Sequence, residues 1–260
     1  MIDHLDSYEE TSPVTVQWLR DMVVFRFANR PLFLATDLAL RDSLLTALDR
    51  CGHRDEIRVV VLVGFPEKTE RCEYEDFYRA TLGKADRLAV GRMLNVFNQL
   101  ILTIVGLSKP VIFVDGGRII SQFLNVGLAC DYRIVSESTV IEKAYLRHSM
   151  LPKGGGAWLL GKLLGRSKAY RLLLAEEDVT AVEALRLGLV DEVVPDERLH
   201  EAGLAAARRF GALPPATVAG VKQLLGVEMR ELSDFLERES QEVLMAAMKS
   251  DLATTGKHRR

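Results

Sequence analysis

The segment Val59–Val63, VVVLV, constrains the fold of this chain more than any other stretch. Consecutive branched apolar residues leave no polar face, so a strand built from them must be covered on both sides. That arrangement is the mark of a parallel sheet flanked by helices. Val111–Val114, VIFV, repeats the pattern and runs into a glycine turn at Gly116 and Gly117. Between the two lie a charged loop, FPEKTERCEYEDF, and an apolar, helically periodic segment from about Leu88 to Val105. Upstream, Thr36–Gly52 places Leu38, Leu44, Leu45 and Leu48 on one helical face, with Gly52 as a C-terminal stop. Strand alternates with helix, as in an α/β layered core. From about Pro214 the pattern becomes amphipathic helix. Its Val218, Val221, Leu224 and Leu225 would leave an apolar stripe exposed, so this region is expected to pack on a neighbouring subunit.

A chain of 260 residues can form one large domain or a core with an appendage. Its 48% hydrophobic and 27% charged residues are ordinary for a globular protein and argue against disorder. A net charge of -2 gives no reason to expect nucleic acid or an anionic membrane as partner. Neither the opening MIDHLDSYEE nor any later run reads as a signal peptide or a spanning segment, so a cytoplasmic location is expected. The cysteines, Cys51, Cys72 and Cys130, are odd in number and lack metal-ligand spacing. They imply neither a disulfide framework nor a metal site, and read as buried or incidental thiols.

Two adjoining segments, KPVIFVDGGRIISQFLNVGLACDYRI and VIEKAYLRHSMLPKGGGAWLLGKLLG, resemble the signature region of the crotonase (enoyl-CoA hydratase/isomerase) superfamily. The resemblance runs from Val16 to about Glu242 and keeps its landmarks in order: DMVVFRFANRP, RVVVLVG, SKPVIFV, LACDYRIVSEST and TAVEALRLGLVDEVVP. It implies a crotonase fold, a spiral of ββα turns over residues 1–195, followed by a C-terminal helical oligomerisation region over 196–260. It also implies a homotrimer or hexamer, and an acyl thioester on CoA or a carrier protein as partner. No cofactor is implied beyond the CoA of the substrate.

In this superfamily two backbone N–H groups hold a thioester carbonyl oxygen and stabilise the enolate or tetrahedral oxyanion formed from it, and such donors contribute on the order of 3 kcal/mol each. The resemblance places the second donor on Gln122, between Ser121 and Phe123, where the family has small residues. A helix begun at Ser121, with Ser121 as its N-cap, would still present free N–H groups and a positive dipole end to an anion. The large side chains of Gln122 and Phe123 threaten the room that glycine would leave. The first donor falls on Cys72 or Glu73, followed by Asp76 and Phe77. A nucleophilic role for Cys72 would need a base that the sequence does not identify.

Where hydratases of the family carry their paired glutamates, this chain has Asn125 and Tyr145. An amide cannot act as a base, but it can orient a carbonyl or a water. A phenol, with an ordinary pKa of about 10, is suited to donating a proton or a hydrogen bond. Tyr145 reads equally as a core aromatic with a satisfied hydroxyl. Glu142, Lys143 and His148 lie close by as alternative titrating groups. PKGGGAW, Pro152–Trp158, matches the family's glycine-rich turn; it is not a nucleotide loop, since its lysine precedes the glycines. The terminal Lys257, Arg259 and Arg260 stand where relatives continue into a segment covering adenine, and read as a solvated tail. Simple hydration is disfavoured. Isomerase or hydrolase-type chemistry leads, and a non-catalytic subunit with a closed pocket is the alternative.

Overall fold

The structure, a computed structural model, describes residues 8–11, 14–27, 38–64, 87–147, 151–226 and 228–257. Cys72, Glu73, Asp76, Phe77 and His148 lie outside them. In chain order the elements begin with β1 (Tyr8–Thr11), β2 (Val14–Trp18), β3 (Met22–Phe27), α1 (Leu38–His53), β4 (Val59–Val63) and α2 (Arg87–Gly106). Next come β5 (Val111–Asp115), β6 (Arg118–Ile120), α3 (Ser121–Leu128), β7 (Tyr132–Ser136), β8 (Val140–Glu142) and α4 (Ala144–Arg147). The chain continues with α5 (Gly156–Leu164), α6 (Arg166–Leu174), β9 (Val179–Thr180), α7 (Ala181–Leu187) and β10 (Glu192–Val194). The last helices are α8 (Leu199–Gly211), α9 (Pro215–Leu225) and α10 (Met229–Lys257).

Seven strands form one sheet in the order β1-β2-β3-β4-β5-β7-β10, antiparallel across β1, β2 and β3 and parallel from β3 onward. β4 and β5 lie at its centre in a register that pairs Leu62 with Phe113. Val60, Leu62, Val111 and Phe113 face the larger apolar core, which α1, α2 and α3 also enter. Val59, Val61, Ile112 and Val114 face the opposite way, onto Ala206 and Ala207 of α8. Burial on both faces is what the unbroken VVVLV and VIFV runs predict. The helix α8 lies close against the sheet because it presents Gly203, where a β-carbon would stand 2.9 Å from a Val114 methyl.

A second sheet of three strands, β6-β8-β9, stands apart from the first. β6 and β8 run parallel, with Ile120 opposite Glu142, and this register brings the start of α3 beside the segment that follows β8. α3 then descends along β5, and its Gly127 allows contact with the Phe113 ring, from which an added β-carbon would be 2.9 Å. The helix α1 runs through Gly52 to His53, so Gly52 sits inside the last turn rather than ending it.

At the top of β5, Asp115 is buried on the same sheet face as Phe113, and its carboxyl rests on Gly64, filling the space where a β-carbon would lie. Burial pushes this carboxyl well above the usual range, against a hydrogen bond donated by the Gly116 N–H (2.7 Å).

Candidate functional site

β6 feeds directly into α3 with no intervening loop, so the N-cap is Ile120, in extended conformation, and not Ser121 as the sequence suggests. No side chain caps the helix. The first backbone N–H groups of a helix have no carbonyl within it, and Gln122, the second helical residue, supplies one of them at the positive end of the dipole. Phe123 does not compete for this space. It turns into the core, edge-on to Phe27 (centroids 5.3 Å apart) and tilted against Phe113 (5.7 Å). Gln122 is itself buried.

One turn further along, the buried Asn125 donates from Nδ2 to the carbonyl of Lys153 (2.8 Å). The glycine turn is built around that amide: a β-carbon on Gly156 would lie 2.5 Å from Asn125 Nδ2. Gly154 and Gly155 take positive φ, 87° and 74°, which side chains resist. Their N–H groups converge on the carboxylate of Glu239, from α10, at 2.9 Å from Gly154 and 3.1 Å from Gly155. The same carboxylate accepts from Lys153 Nζ (3.1 Å), whose ammonium also donates to Asn98 Oδ1 (2.5 Å) and Ser240 Oγ (3.1 Å). Burial holds Lys153 below the ordinary lysine value, while Glu239 pulls it back up. Glu239 therefore caps the N-terminus of α5 from a distant helix.

Glu239 and its partners escape a reading of the sequence because they lie far apart in the chain. The available signal was a carboxylate on an apolar stripe, since Leu232, Leu236 and Val243 of α10 are all buried beside it.

Tyr145 is buried, and its hydroxyl donates to the carbonyl of Leu173 (2.7 Å). Lys143, also buried, donates from Nζ to the neighbouring Leu172 carbonyl (3.3 Å). Both acceptors belong to the last turn of α6, where carbonyls lack helical partners and a cation is favoured. Burial lowers the Lys143 pKa from 10.5, against the upward pull of Asp178, Glu177 and Glu183. Glu142, fully in the interior, pairs with Arg118 along the β6–β8 ladder.

Ser121, Asn125, Lys143 and Tyr145 thus meet around one small cavity of about 20 Å³, closed by Leu172, Leu173 and other apolar side chains. The structure brings the sequence's two catalytic candidates, Asn125 and Tyr145, together there with Lys143, one of the alternative titrating groups. A larger apolar cavity, about 480 Å³, lies at the other end of α3, beside Leu128, Ala129 and Cys130 and under Val218 and Val221 of α9. Among the described residues no group of three or more His, Cys, Asp or Glu is placed to hold a metal ion. No described helix is long and apolar enough to cross a membrane.

The sequence matches the family model described as enoyl-CoA hydratase/isomerase over residues 22–255. The chain belongs to the enoyl-CoA hydratase/isomerase family. Among its relatives, the probable enoyl-CoA hydratase of Rhodobacter capsulatus is 30% identical over 190 residues, covering 73% of this chain and 71% of that protein. The probable enoyl-CoA hydratase EchA17 of Mycobacterium tuberculosis is 26% identical over 195 residues, covering 75% and 73%. The crystal structure of enoyl-CoA hydratase from Bacillus halodurans superposes with a TM-score of 0.78 at 22% identity, over 92% of this chain and 97% of that one. An enoyl-CoA hydratase from Mycobacterium avium subsp. paratuberculosis does so at 0.74 and 20% identity, over 94% and 99%. The crotonase fold inferred from the sequence is the fold of this enoyl-CoA hydratase/isomerase family member.

Proposed function

We propose that the protein processes an acyl thioester, on CoA or a carrier protein, by holding its carbonyl oxygen between the Gln122 N–H and a peptide at Cys72 or Glu73. The observation that carries this reading is the uncapped start of α3, whose first N–H groups lie one turn or less from Asn125 and whose Ser121 lines one small cavity with Tyr145. Oriented main-chain donors of this kind stabilise developing negative charge without reorganising. Isomerase or hydrolase-type chemistry is favoured over hydration, with Tyr145 as acid or hydrogen-bond donor and Asn125 as orienting amide. Glu142 is engaged by Arg118, which makes it a poorer acid or base. Action in the cytoplasm, as a homotrimer or hexamer and with no cofactor beyond CoA, belongs to the same reading.

The test is spectrophotometric. Crotonyl-CoA should bind, measured by calorimetry, yet not be hydrated at a hydratase-like rate, because paired carboxylates are missing at Asn125 and Tyr145. Turnover comparable to a hydratase would show that these two positions are not the catalytic ones.

One observation favours a second reading, a non-catalytic subunit. The amide of Asn125 and the hydroxyl of Tyr145 each already serve a backbone carbonyl, at Lys153 and Leu173. Failure of every CoA thioester to bind would make this the better description.

A further inference from the structure

We infer that the acyl group of the thioester carries a hydroxyl close to its carbonyl, and that the side-chain amides of Gln122 and Asn125 recognise it. This rests on the thioester reading and narrows it to a substrate class. Gln122 is only 7% exposed, yet among the described residues neither end of its amide has a hydrogen-bond partner. A donor and an acceptor taken out of water without partners cost free energy, which a ligand that pairs with both recovers. The amide is still within reach of a small molecule, since it is not among the fully enclosed polar groups without a partner, as Trp18 Nε1 is. Long side chains on a helix lean toward its N-terminus. Gln122, the second residue of α3, therefore extends over the same helix start that presents its backbone N–H. Phe123 leaves this space free, its ring lying between Phe27 and Phe113.

Asn125 adds a fixed acceptor. The Lys153 carbonyl can only accept, so the nitrogen of the Asn125 amide must face it (2.8 Å), and Oδ1 is the end left over. Among the described residues nothing donates to that oxygen. Three residues after Gln122, Asn125 stands beside it on α3. Together they offer the donors of Gln122 Nε2 and two acceptors, Gln122 Oε1 and Asn125 Oδ1. A hydroxyl matches this set, because it accepts from the nitrogen and donates to an oxygen. A keto oxygen satisfies only the donor, a carboxylate sets its lone pairs against two acceptors, and a hydrocarbon satisfies neither. The N–H proposed to hold the carbonyl oxygen and the amide that reads the hydroxyl belong to one residue, so the two groups of the substrate lie within a few carbons of each other.

The experiment measures calorimetric binding of butyryl-, 3-hydroxybutyryl-, 4-hydroxybutyryl- and acetoacetyl-CoA, which share one chain length, to wild type, Gln122→Leu and Gln122→Met. Both variants keep the backbone N–H and remove the amide. In wild type one of the hydroxybutyryl thioesters should bind ~10-fold or more tightly than butyryl-CoA, with acetoacetyl-CoA between them, as expected when a buried amide gains its partner. That ratio should fall to about one in Gln122→Leu. The melting temperature of the variant should not drop below that of wild type, since an apolar side chain takes the place of an unpaired amide. If Gln122→Leu does not fold, Gln122→Met decides. Loss of stability in both would show that the amide has a partner within the fold, and would overturn the assignment. So would butyryl-CoA bound by wild type as tightly as both hydroxybutyryl thioesters, or a preference that survives removal of the amide; either leaves the thioester reading standing. Wild type that binds none of the four removes that reading along with the assignment.

Discussion

The hydroxyl of Tyr145 has one proton to give, and in the free protein it goes to Leu173. A role in catalysis requires that bond to be exchanged for one to substrate, which leaves the Leu173 carbonyl without this donor and costs about 1 kcal/mol or more that substrate binding must offset. Tyr145→Phe is therefore expected to lower turnover of a thioester substrate by ~10²-fold with little change in binding. It should also cost about 1 kcal/mol of stability for the lost bond at the end of α6. A Phe variant with full turnover and only the stability loss would assign the phenol to the helix cap alone. Asp115 gives a second test at the same scale. Its native pKa lies above the unfolded value near 3.8, so the folded chain keeps its proton to higher pH. Between those two values folding takes up a proton, and stability falls as pH rises. Asp115→Asn keeps an acceptor for the Gly116 N–H and cannot ionise. Urea denaturation should find the variant's stability less dependent on pH across that window and higher relative to wild type at its upper end.

At the level of elements, the distinctive device is the clamp of α10 on the glycine turn. Glu239 satisfies the N–H groups of Gly154 and Gly155, neutralises Lys153 and so joins α10 to the start of α5. Removing one member of such a buried pair leaves the other charge uncompensated. Glu239→Ala is expected to cost about 3–5 kcal/mol, whereas Glu239→Leu combined with Lys153→Met should recover part of that loss. Chemical denaturation of the three proteins measures it. Equal midpoints for wild type and Glu239→Ala would mean that the clamp contributes nothing to stability. Because the carbonyl of Lys153 holds Asn125, loosening the clamp should also disturb the amide at the candidate site.

On the scale of the whole molecule, α9 is the unfinished part. Leu224 and Leu225 are 88% and 81% exposed, and Val221 is 48% exposed, on a helix with no buried residue. Val221 and Leu225 also border the 480 Å³ cavity, so an apolar surface continues from the helix to the body beneath it. A monomer rarely leaves such a face in water. Light scattering should give a trimer or hexamer of the 29.0 kDa chain, and Leu224→Asp with Leu225→Asp should shift it toward monomer with unchanged far-UV circular dichroism. A wild-type monomer would remove the assembly from the proposal. The α10 helix behaves differently, burying Leu232, Leu236 and Val243 in its own subunit rather than in a neighbour.

What the sequence determined by itself was carried by local pattern. VVVLV and VIFV required a sheet buried on both faces, and periodic leucines marked α1. The ordered landmarks from Asp21 to Pro195 identified the crotonase spiral, because each is a short run whose chemistry depends on its immediate neighbours. The α3 start was legible to within one residue. Ile120 took the cap because β6 enters the helix without a loop, and that pairing is not local. Phe123 was expected to crowd the pocket, yet it fills the core between Phe113 of the nearby β5 and Phe27 of β3, a strand far along the chain. The partners of Asn125, Tyr145 and Lys143 were decided only by tertiary structure. Their side chains reach carbonyls of Lys153, Leu173 and Leu172, and a backbone acceptor looks the same in every residue, so no sequence pattern announces it. The glycines of the turn were visible, but their purpose was not: they make room for a buried amide and a carboxylate that arrives from α10 after the chain has folded back on itself.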